Sequence, residues 1–128
     1  MFVSAALSSN GPSAALVRAL RDGDLEVVVS PKLLAELDEV LRRPKFGRFI
    51  TLDEVDELVQ EIALLSRVEP DPAPGDAVLR DKNDDYLVFL ARATGVDFII
   101  SGDADLTDAQ LEPPAVTPRQ AVERFGII

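Results

Sequence analysis

The chain contains no cysteine, no histidine and no tryptophan. Without cysteine there is neither a disulfide framework nor a thiolate nucleophile. Without histidine there is no Ser-His-Asp triad, no imidazole acid–base pair and none of the usual zinc sites. Aromatic residues make up only 5% of the chain, which leaves little surface for stacking on sugars and disfavours a glycosidase-like carboxylate pair. Cations are also scarce: 13 Lys and Arg stand against 23 Asp and Glu, a net charge of −10. Nonspecific adhesion to nucleic acid rests on cationic contacts to phosphate, so a site for a phosphodiester here needs a metal or a local basic patch. No apolar run approaches the ~20 residues of a membrane span, and the amino-terminal region shows no basic stretch followed by an apolar core. The expected location is the cytoplasm, with no membrane partner.

What remains in abundance is carboxylate, so any catalysis is carboxylate chemistry, with a hard metal ion or in an acid/base pair. At 128 residues the chain is expected to form a single domain over 1–128 with a hydrophobic core of its own. It is organised around Phe98 to Leu106, FIISGDADL, where an apolar run breaks into Ser101, Gly102, Asp103, Ala104 and Asp105. The run suits a strand covered on both faces, and sites in parallel sheets lie where strands end. Two carboxylates one residue apart repel one another, and a divalent cation would offset them. A purely structural alternative is a βα turn in which Asp103 or Asp105 caps the next helix and Gly102 supplies a positive φ.

The remaining segments read as follows. Met1 to Ser9 is small and apolar and starts as though already inside an element. Asn10-Gly11-Pro12 marks a turn, and Ser13 caps a helix over Ala14 to Arg21 with Leu16, Val17 and Leu20 on one face. Leu25 to Val29 is a short strand, and Ser30-Pro31 open a helix to about Arg43 with an apolar stripe of Leu33, Leu34, Leu37, Val40 and Leu41. Thr51-Leu52-Asp53-Glu54 is a capping box for a helix to about Ser66, with Val55, Leu58, Val59, Ile62 and Leu65 inward and Glu54, Asp56, Glu57 and Glu61 wet. Val68 to Asp76 is a proline-rich surface connection. A helix from Tyr86 to Thr94 ends at Gly95, Asp108 to Leu111 is a turn, Ala115 to Thr117 a short strand, and Pro118 to Phe125 a last helix closed by Gly126. This order predicts an α/β fold with a parallel sheet flanked by helices.

Several polar positions have two readings. Glu36, in the second turn of its helix, is either a solvated residue or a functional acid. Asp84 and Asp85 either complement the helix dipole at the start of the Tyr86 helix or belong to a site, since capping needs one carboxylate and Asp81 to Asp85 supplies several. Arg42, Arg43, Lys45 and Arg48 either complement a helix carboxyl terminus or contact RNA phosphates.

Four segments, VSAALSSNGPSAALVRAL, LEVVVSPKLLAELDEVLRRPKF, RDKNDDYLVFLARATGVDFIISGDADL and VTPRQAVERFG, in this order and spacing resemble a PIN domain, the fold of the VapC-like toxins of toxin–antitoxin pairs and of related metal-dependent ribonucleases. The resemblance implies a metal-dependent endoribonuclease that uses Mg²⁺ or Mn²⁺ to hydrolyse RNA, a cognate antitoxin protein as partner, and a homodimer as a common assembly. It assigns Glu36, Asp85 and Asp103 as catalytic metal ligands and Asp105 as a further ligand, with Asp84 and Ser101 in support. Mg²⁺ favours oxygen ligands and retains waters, which a few carboxylates from separate elements plus substrate phosphate can satisfy.

The family begins with a strand of the type hhhDTN, whose aspartate is a principal ligand and which lies centrally in the sheet. Here Met1 follows the place of that segment. The expectation is therefore an amino-terminally truncated PIN-like domain, through an internal start or the way the chain was cut, lacking the central strand. A catalytically inactive PIN-like module that binds an antitoxin or another protein is the alternative function. A phosphoacceptor receiver domain fits in length and acidity but lacks both the early acidic pair and the late lysine of that fold.

Overall fold

In the computed structural model, residues 1–8, 10–76, 78–79 and 82–127 are described; Asp81, one of the crowded acids, lies outside them. The elements run α1 (Phe2–Leu7), α2 (Pro12–Arg21), β1 (Val28–Val29), α3 (Pro31–Leu41), α4 (Leu52–Leu65), β2 (Arg67–Val68), α5 (Asp85–Thr94), β3 (Ile99–Ile100), α6 (Ala104–Thr107), β4 (Ala115–Val116) and α7 (Pro118–Phe125). Short 3₁₀ turns cover Pro44–Phe46 and Lys82–Asp84. The architecture is α/β, with parallel strands flanked by helices. Among the described residues no helix is long and apolar enough to cross a membrane.

Helix ends follow side-chain chemistry. The Ser30 hydroxyl accepts from the Leu33 N–H and Pro31 stands at the first helical position, as the sequence predicts. Thr51 and Glu54 form both halves of a capping box, and Thr117 with Gln120 forms another. Gly95 and Gly126 close α5 and α7 in the left-handed region, at φ 69° and 67°, where a side chain would be strained. The second helix differs from expectation. It begins at Pro12 with Gly11 as its cap, so Ser13 lies inside the first turn and is buried.

The sheet is split. β1 pairs in parallel with β2, and β3 with β4. β2 was not expected from the sequence, where Val68 opens the stretch read as a loop, because Arg67 and Val68 are both exposed and carry no apolar alternation. β3 is shorter and less buried than its apolar run suggests: Ile99 and Ile100 are only half-buried, because among the described residues one edge of the strand has no neighbouring strand.

Three apolar clusters hold these parts together. Val29, Leu37, Leu41, Ile50, Val55 and Ile62 join α3, α4 and β1. Leu16, Ala19, Leu25, Val116 and Ala121 join α2, α7 and β4, with Val27, just before β1, and Ile100 of β3 packed on the same cluster. Leu79, Val88, Leu106 and Leu111 form the third, under α5 and α6. Leu65, expected inward, is 41% exposed because α4 ends there and the chain turns into β2.

Candidate functional site

Glu36 is half-buried on α3, drawn inward by Leu33, Leu37 and Val40 around it. There its Oε2 accepts a 2.7 Å hydrogen bond from the hydroxyl of Tyr86, in the first turn of α5. The Lys32 ammonium, one helical turn before Glu36, lies 4.4 Å from the centre of the Tyr86 ring. That contact is a cation–π interaction on a largely buried ring. The amide of Lys32 in turn donates to Asp71 Oδ1 at 2.9 Å, which fixes a carboxylate at the start of α3. Burial, reinforced by Glu36 and by the charges of Asp84 and Asp71, pushes the Tyr86 phenol well above the ordinary tyrosine range. Tyr86 is therefore a proton donor that keeps its proton.

Asp85 is buried, at 6% exposure. Its two carboxylate oxygens accept from the backbone amides of Val78 and Leu79, at 3.3 and 2.7 Å, anchoring the end of the proline-rich connection to α5. Asp84 precedes it at the cap position without a side-chain cap bond. On the far strand, the Ser101 hydroxyl accepts from the Asp103 amide at 3.0 Å, and Asp103 Oδ1 accepts from the Asp105 amide at 2.9 Å. The acidic turn after β3 is thus self-braced, with Asp103 as the cap of α6 and both carboxylates exposed. The capping role weighed from sequence is present; the positive φ at Gly102 is not.

Glu36, Tyr86 and Ser101 line one cleft of about 640 Å³ between the two strand pairs. The donors proposed from sequence are all hard oxygens, right in kind for Mg²⁺ or Mn²⁺. In position they remain separate: among the described residues no three acidic side chains gather at ligating distance. Sequence reasoning missed Tyr86, Lys32 and Asp71. The spacing of Lys32 and Glu36, four apart on a helix, and the placement of the only tyrosine beside Asp85 were the available signals.

The basic cluster divides. Arg42 is held by Asp38 at 3.0 Å and by Asp56, whereas Arg43, Lys45 and Arg48 form no ion pair among the described residues. The cations of Lys45 and Arg48 rest over the rings of Phe46 and Phe49, and Phe49 is 55% exposed.

No curated protein and no solved structure matches the chain. A family model described as PIN domain matches residues 1–105, a span that includes Glu36, Asp85, Asp103 and Asp105 and ends before β4 and α7.

Proposed function

Because the chain belongs to the PIN domain family, whose members are nuclease-type proteins that generally use divalent metal ions, we propose that it is a metal-dependent endoribonuclease, the toxin of a toxin–antitoxin pair. The supporting observation is the acidic turn from Ser101 to Asp105, delivered at the carboxyl end of β3 within the matched span, where ligands of parallel sheets bind. In this reading Glu36, Asp85, Asp103 and Asp105 are the ligands the family resemblance assigns, although among the described residues they stand apart; a bound Mg²⁺ or Mn²⁺ would supply an activated water and neutralise charge on the attacked phosphate.

The chain's own residues have defined tasks in this reading. Tyr86 donates to Glu36 and holds its carboxylate in one orientation. Ser101 fixes the backbone of the turn that presents Asp103. Arg43, Lys45 and Arg48 contact RNA phosphates, with Arg42 positioned by its two carboxylate partners. An antitoxin restrains the activity by covering this end of the molecule.

The separation of the four carboxylates favours a second reading, a catalytically inactive module that binds a protein partner. Asp103→Asn discriminates between them, because asparagine caps a helix about as well as aspartate and leaves α6 intact. The nuclease reading expects Mn²⁺ binding by calorimetry and Mg²⁺- or Mn²⁺-dependent RNA cleavage, both lost in Asp103→Asn. A folded chain that binds no metal and cleaves no RNA overturns the nuclease reading.

A further inference from the structure

Between Glu39 and Asp53 the chain carries no carboxylate, and Arg42, Arg43, Lys45 and Arg48 all fall inside that interval. In a chain of net charge −10 this is where an anion meets least repulsion. The turn after α3 then sorts two phenylalanines. Phe46 packs on the cluster that joins α3, α4 and β1. The amides of Phe49 and Ile50 both donate to the Phe46 carbonyl, at 2.9 and 3.1 Å, which closes the chain on itself, buries Ile50 and turns Phe49 out. At 55% exposure Phe49 is the most exposed phenylalanine of the chain.

A single exposed apolar residue is ordinary surface. What surrounds Phe49 is not. The Arg48 guanidinium lies 5.1 Å from its ring centre, and the Lys45 ammonium 5.0 Å from that of Phe46. Both cations are held at rings while, among the described residues, neither enters an ion pair. An arginine covers only one face of a ring, so Phe49 keeps flat apolar surface beside unspent charge. That combination complements an unpaired nucleobase: the base stacks and the cations take the adjacent phosphates. A duplex cannot use it, because its bases are already stacked inside the helix. A lipid surface fits less well, since anionic headgroups repel a net charge of −10 and one ring offers little to bury.

The patch lies away from the acids. Glu36 stands more than a turn before the end of α3 at Leu41, roughly 8 Å by helical rise, and Phe49 follows that end. A base held there belongs to a nucleotide flanking the one attacked. We propose that Phe49 is a stacking platform for an unpaired base of RNA, with Lys45 and Arg48 on its phosphates, and that it makes the chain prefer single-stranded to duplex RNA. The proposal deepens the function proposed above and rests on its choice of RNA as substrate.

The probe is a fluorescein-labelled oligouridine of twelve nucleotides, titrated by anisotropy into the full chain in EDTA, with a blunt RNA duplex of equal length as control. Phe49→Ala should weaken oligouridine binding on the order of tenfold, the scale of one lost base stack, and leave the salt slope unchanged. Phe49→Tyr should retain binding and Phe49→Leu should not, because leucine is apolar but not flat. Phe49→Trp introduces the variant's only tryptophan, whose emission oligouridine should quench and the duplex should not. Equal binding of the duplex, full binding by Phe49→Ala or Phe49→Leu, or tryptophan emission unmoved by RNA overturns the proposal. So does a blue shift of that emission with phosphatidylserine vesicles in place of quenching by RNA, because the occupant is then a membrane. Absence of RNA binding by the natural chain overturns both this proposal and the nuclease reading. Mn²⁺-dependent cleavage with an unchanged KM in Phe49→Ala overturns this proposal alone, whereas Phe49-dependent binding by a chain that cleaves nothing supports it and overturns the nuclease reading.

Discussion

Tyr86 is the only tyrosine, and with no tryptophan present its ionisation can be followed alone in the near ultraviolet. Its hydroxyl is raised above the ordinary range first by burial and then by Glu36. Folding stability tied to this group is present below the unfolded tyrosine value near pH ~10, and is lost as pH rises from there towards the folded value. Native protein should therefore show no tyrosinate at a pH where the urea-unfolded chain is fully ionised. The urea midpoint should fall across that window in the natural chain more than in Tyr86→Phe. Glu36→Gln should lower the ionisation pH while leaving it above the ordinary value, since burial persists. Ionisation of Tyr86 in the folded chain at its ordinary value would refute the buried Tyr86–Glu36 bond.

At the scale of elements, the caps carry local stability. Thr51→Ala removes the acceptor for the Glu54 amide, and Thr117→Ala the acceptor for the Gln120 amide. Each should cost about 1 kcal/mol in denaturant unfolding, the usual effect of losing an N-cap. Ser13→Ala should cost far less as a cap, because Gly11 occupies that position. The Thr51 box was legible in the sequence, since Thr with Glu three residues later preceded a clear apolar stripe. The Thr117–Gln120 box was overlooked because Pro118 already marked the helix start. β2 was invisible for a different reason: Arg67 and Val68 become a strand only because the edge of β1 lies beside them.

Across the whole molecule, a net charge of −10 repels RNA, and the cations that can oppose it are few. With Arg42 engaged by Asp38 and Asp56, Arg43, Lys45 and Arg48 carry the phosphate contacts of the proposed function. Each phosphate neutralised on single-stranded RNA contributes a slope of about −0.7 in log K against log salt, so three contacts give about −2. Replacing the three by glutamine should abolish measurable RNA binding at moderate salt, whereas Arg42→Gln should leave the slope unchanged and lower stability slightly. A slope that survives the triple replacement would place the RNA elsewhere.

The sequence alone determined the longer helices, most of their ends and the delivery of acid after an apolar strand. These depend on neighbours within a turn or two: apolar spacing, a capping hydroxyl, a glycine at positive φ. Only the tertiary structure decided how those acids are used. It set Glu36 against Tyr86, turned both oxygens of Asp85 onto the Val78 and Leu79 amides, and left the turn at Asp103 braced on itself. It also split the strands into two pairs around an open cleft. Strand pairing and carboxylate partners join residues far apart in the chain, and the spacing of residues along it does not encode which of them will meet.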